Sequence, residues 1–105
     1  MQRRLSHTLI VSFALSVVYV ASGHAETVEL NRGAMLSNSC AACHGTDGNS
    51  PGAIPSIRGK SAEFIETAMV EFSQGKRPGT VMNRHASGYT DEEIRLIAEF
   101  FSTRP

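Results

Sequence analysis

Both cysteines of the chain fall within one five-residue stretch, Cys40-Ala41-Ala42-Cys43-His44, and whatever fold forms here must be built around it. Two thiols at this spacing can add across the two vinyl groups of a haem while the adjacent histidine meets the iron. Ala41 and Ala42 are small enough to lie against the ring. Other uses of the motif are a structural disulfide, a thioredoxin-like redox pair, or half of a zinc site. A thioredoxin site calls for a strand before it and a sheet around it, whereas the residues ahead of Cys40 read as a short helix. Zinc would need more ligands, and adjacent Cys43 and His44 are poorly spaced to share a tetrahedral site with distant His85. Covalent attachment of one haem c, with His44 as an iron ligand, is the reading these residues favour.

The chain's length supports it. Gln2, Arg3 and Arg4 form a basic patch, Leu9 to Val20 an apolar run, and Gly23-His24-Ala25 a small-x-small ending, the pattern of a secretory signal peptide over residues 1–25. The apolar run falls short of the roughly 20 residues that a bilayer-spanning helix needs, so the expectation is export to the periplasm and no membrane span once the leader is removed. A retained anchor is the alternative. The 80 residues from Glu26 to Pro105 make one small domain, and a chain of that size usually needs a disulfide, a metal or a cofactor to hold a unique fold. They carry eight Lys and Arg against ten Asp and Glu. That mildly acidic balance excludes the strong basic excess of a nucleic-acid binder.

Periodicity predicts an all-α domain of three main helices and two loops, with no strand pattern. Leu30 to Ser39 suits a short helix, with Ala34, Met35 and Leu36 available for packing. Residues 45–59 hold Gly45, Gly48, Gly52, Gly59, Pro51 and Pro55, a loop composition. A second helix opens at Ser61 as N-cap, sets Phe64, Ile65, Ala68, Met69 and Phe72 on one face, and stops at Gly75. Lys76 to Tyr89 reads as a second loop. Thr90 and Glu93 then form a capping box for a last helix, with Ile94, Ile97, Ala98 and Phe101 at i, i+3, i+4 and i+7.

An electron carrier needs a second axial ligand, and methionine or histidine is the usual donor. The candidates are Met35, Met69, Met82 and His85. Met35 is nine positions before His44 and reads as packing against the last helix, while Met69 shares a core face with Ile65 and Phe72. Met82 sits in the loop after Pro78 and Gly79, where helix packing does not explain it, and is the choice; His85 is the runner-up. Lys76, Arg77 and Arg84 flank Met82, and Arg58 and Lys60 end the first loop. They form either a solvated surface or groups that face haem propionates and steer an acidic partner.

With these residues in view, Gly33, the Cys40 to Gly45 stretch, Pro55, Gly59, Met82 and the Tyr89 to Phe101 helix resemble a small bacterial class I cytochrome c, a resemblance that covers essentially all of Glu26 to Pro105. It implies three helices wrapped around one covalent haem. It also implies that the Pro55 carbonyl accepts a hydrogen bond from the proximal His44, and that the first and last helices cross near Gly33 and Phe101. Within the family, residues 77–82 and 84–90 are similar to the cytochrome subunit of flavin-dependent sulfide dehydrogenases.

The resulting expectation is a periplasmic electron-transfer protein rather than an enzyme. It would accept electrons from a flavoprotein subunit that oxidises sulfide and pass them to a terminal oxidase or another cytochrome. The alternatives are a free-standing soluble shuttle, a haem enzyme or sensor with an open sixth position, and a colourless thiol redox module using Cys40 and Cys43.

Overall fold

A computed structural model describes residues 23–105. Most of the leader assigned from the sequence, including the apolar run from Leu9 to Val20, lies outside the described residues. Four α-helices follow in order, α1 Gly23–His44, α2 Ala62–Ser73, α3 Met82–Ala86 and α4 Asp91–Ser102, with a 3-10 turn over Thr46–Gly48. No strand occurs among the described residues.

The predicted ends of α2 and the predicted start of α4 hold. Ser61 Oγ accepts from the Phe64 N–H at 3.1 Å, and Gly75, at φ 70, lets the chain leave α2. At α4 the capping box is closed both ways. Thr90 Oγ1 accepts from the Glu93 N–H at 3.2 Å, and Glu93 Oε2 accepts from the Thr90 N–H at 2.9 Å, which satisfies two otherwise orphaned donors.

Two elements differ from the sequence reading. Helix α1 begins at Gly23, ahead of the expected Leu30, and runs past Ser39 to His44, because Ala41 and Ala42 are strong helix formers and nothing interrupts the helix before Gly45. There φ is 82 and the Gly45 N–H still reaches the Ala41 carbonyl at 3.0 Å, a left-handed exit that glycine makes without strain. The second loop contains α3. Five residues are too few to display a helical period, and a helix so short forms only where tertiary contacts hold it.

Helix α4 lies at the centre, packed on one side by α1 and on the other by α2. Ile94, Ile97, Ala98 and Phe101 are all essentially inaccessible to solvent, and they form the core with Cys40, Ile65, Met69 and Ala86. Leu96 is buried as well, on the side where α1 crosses. The crossing is close. A Cβ on Gly33 would lie 2.8 Å from the Leu96 carbonyl oxygen and 3.6 Å from Phe100 Cβ. The expected crossing at Gly33 is therefore present, but its partners on α4 are Leu96 and Phe100, while Phe101 points into the core and against Gly48.

Met35 does not pack against the last helix; it is 73% exposed. Gly33 and Ser37 are buried, and at about 100° per residue Met35 stands roughly 200° from each, on the opposite side of α1. Phe64 is likewise half-exposed rather than part of the α2 core face, whereas Met69 is buried as expected. Arg32 with Glu92 and Glu93, and Arg95 with Glu29, pair across the outer edge of the α1–α4 contact. Exposed pairs of this kind contribute little beyond fixing the helix register.

Candidate functional site

The site is assembled at the C-terminal end of α1. Cys40 belongs to the buried core, Cys43 is exposed, and both thiols are free. Burial pushes the Cys40 thiol above its usual range, partly opposed by a hydrogen bond from Ser39. Three residues apart on one helix, the two sulfurs share a side of α1, with His44 closing the helix next to them.

The loop after Gly45 returns to His44. Gly48 is buried, and a Cβ there would meet Ile57 Cγ1 at 2.8 Å and Phe101 Cδ1 at 2.9 Å, so the loop presses on the core at a point where only glycine fits. The Gly48 carbonyl accepts from both the Ile57 and Arg58 N–H groups, at 3.0 and 3.1 Å, and the Gly59 N–H donates to the Phe101 carbonyl at 3.1 Å. These bonds set the path of residues 49–56. Along it, the Pro55 carbonyl accepts from His44 Nδ1 at 2.6 Å. A carbonyl can only accept, so the proton sits on Nδ1 and the Nε2 lone pair of His44 is left to bind a metal.

The other candidates are sorted by position. Met35 and His44 are both on α1, about 13 Å apart along its axis, too far for one iron. Met69 is enclosed in the core. Met82 opens α3, half-buried against the same core cluster that contains Cys40. His85 is exposed, its ring edge-on to Tyr89 at 6.3 Å. Tyr89 also shares a hydrogen bond of 2.6 Å with Ser39 Oγ, which joins the residue before Cys40 to the turn between α3 and α4. The sequence reading passed over this link, because neither residue is apolar enough or close enough in the chain to signal it.

The donor set fits a covalent haem. Two free thiols and an imidazole with its Nδ1–H already engaged stand together, and Ile54 and Val81, neighbours of Pro55 and Met82, are apolar yet solvent-exposed. Among the described residues no group of three or more His, Cys, Asp and Glu could hold a metal ion by itself, which leaves a zinc site without its remaining ligands. Nor is any described helix long and apolar enough to cross a membrane.

The family model "Cytochrome c" matches residues 30–104. The chain is 66% identical over 71 residues to the cytochrome subunit of sulfide dehydrogenase from Chlorobaculum tepidum, covering 68% of this chain and 64% of that protein. It is 38% identical over 69 residues to cytochrome c-554(548) of Halomonas halodenitrificans, covering 62% of this chain and 83% of the relative. A thiosulfate dehydrogenase electron acceptor of Stutzerimonas stutzeri is 35% identical over 77 residues, or 68% of this chain and 36% of the relative. The chain thus spans just under two thirds of the first of these proteins.

Proposed function

We propose, from the premise that this chain belongs to the cytochrome c family, that it is a periplasmic electron carrier whose haem is attached through Cys40 and Cys43 and ligated by His44 and Met82. The observation that carries this reading is the 2.6 Å bond from His44 Nδ1 to the Pro55 carbonyl, beside two free thiols. Bound haem supplies a one-electron iron couple. The protein's part is to keep the ligands in place as that electron comes and goes. The Pro55 carbonyl fixes the tautomer and ring plane of His44 and raises its basicity. Met82, a thioether, favours the reduced state and raises the potential. The core of Ile65, Met69, Ile94, Ile97 and Phe101 keeps water from the attachment side.

The partner of this reading is a flavoprotein that oxidises sulfide, with onward transfer to a terminal oxidase or another cytochrome. The similarity to a sulfide dehydrogenase cytochrome subunit supports it. A free-standing shuttle is the second version, supported by the 83% coverage of a small cytochrome. Co-purification of flavin with this chain favours the first; a monomer reduced by several donors favours the second. Export follows from the leader pattern of Arg3, Arg4 and Leu9 to Val20.

The test is a reduced-minus-oxidised spectrum of the periplasmic protein after acid-acetone extraction. The expected result is haem retained on the chain and a weak methionine-to-iron band at the red edge of the oxidised spectrum. The variant M82A should keep the haem and lose the band. Extraction of the haem removes the attachment, and a band that survives in M82A removes Met82.

A further inference from the structure

The residue after Met82 makes contacts for which the ligand set gives no reason. The side-chain amide of Asn83 donates to two backbone carbonyls, Phe72 at 3.0 Å in the last turns of α2 and Arg77 at 2.9 Å in the loop between α2 and α3. Both N–H groups of the amide are thereby engaged, in a part-buried setting. The loop they cross is fastened elsewhere too. Arg77 Nε donates to Glu71 Oε2 at 2.9 Å, and its guanidinium lies 5.6 Å from the centre of the Phe72 ring. A Cβ on Gly79 would stand 2.9 Å from Phe72 Cε1 and 3.0 Å from Asn83 Oδ1, so Asn83, Gly79 and Phe72 are packed in one stack.

Helix α3 is too short to hold its own shape in water. Ala86, fully buried, seats its C-terminal end; at its N-terminal end, where Met82 stands, the polar tie is the Asn83 amide. We infer that Asn83 is a positioning residue for Met82, its two-carbonyl clasp holding the first turn of α3 on the end of α2 and so keeping the thioether within reach of the iron. The inference rests on the Met82 ligation proposed above. Groups that orient a metal ligand without touching the metal typically alter affinity by about 10- to 100-fold when removed.

Imidazole, which competes with the thioether for the iron, serves as the probe on oxidised holoprotein. The variants are N83A, which deletes the clasp, and N83D, which keeps its shape but sets a carboxylate against the two carbonyls. Both should retain covalent haem, show a weakened methionine-to-iron band, and bind imidazole about tenfold more tightly than wild type. T90A, which unfastens the distant N-terminus of α4, should leave imidazole affinity within about twofold. Imidazole affinities of N83A and N83D equal to wild type, or a T90A shift as large as theirs, would overturn the inference. Independently of any variant, the Asn83 side-chain amide protons of the reduced wild type should exchange with solvent more slowly than those of a free asparagine; exchange at the free rate would also overturn it. A wild type without the band, or an M82A protein that keeps it, removes the Met82 assignment itself and this inference with it.

Discussion

His44 and Pro55, eleven residues apart, are joined by a hydrogen bond of 2.6 Å from the imidazole Nδ1 to a backbone carbonyl, at the close of a loop that turns at Gly45 and Gly48. The proline stiffens the backbone that presents this carbonyl, since its ring fixes φ. Pro55→Gly should therefore lower unfolding stability by about 1 kcal/mol through the freer unfolded chain. It should also speed exchange of the His44 Nδ1–H measured by NMR. An unchanged exchange rate would show that the loop, not the proline, holds the carbonyl.

Cys40 is in the core and Cys43 on the surface, yet each is assigned one thioether. Replacing either with alanine should leave a single covalent bond, with haem still resistant to acid-acetone and the reduced spectrum shifted to longer wavelength. The double variant C40A/C43A should release all haem on extraction. Haem retained by the double variant would contradict attachment at these sulfurs.

The α1–α4 crossing has no room for a side chain at Gly33, where a Cβ would stand 2.8 Å from a backbone oxygen of Leu96. Backbone cannot move aside as a side chain can. Gly33→Ala should cost about 1–3 kcal/mol from overpacking, less the gain of about 1 kcal/mol that alanine brings to a helix interior. Gly33→Val should cost more than Gly33→Ala. Denaturant unfolding of the holoprotein measures both, and equal stability of the three proteins would mean that the helices are further apart than described.

Phe101 is fully buried between the core and Gly48, and Thr90 caps the same helix. Phe101→Ala should cost about 3–5 kcal/mol, a large share of the stability of a domain this small. Thr90→Ala should cost about 1 kcal/mol. Because the sites lie at opposite ends of α4, the double variant should lose close to the sum of the two.

The Cys-Ala-Ala-Cys-His motif, the Ser61 and Thr90 caps and the apolar spacing of α4 were legible because each is local. Thiol spacing, cap chemistry and helical period all operate over a few residues, and one sequence displays them directly. The proposed ligand Met82 rests on local grounds too, as a methionine in a Gly- and Pro-bearing segment. What the sequence could not decide were relations between distant backbones. That Met35 faces outward depends on which side of α1 the glycine at 33 presents to α4. Helix α3 exists because Asn83 and Ala86 find partners in segments already folded, and five residues carry no period of their own. The Asn83 clasp and the Ser39–Tyr89 link end on a backbone carbonyl or a hydroxyl far along the chain, groups that leave no mark on residue pattern, so only the tertiary fold could bring them together.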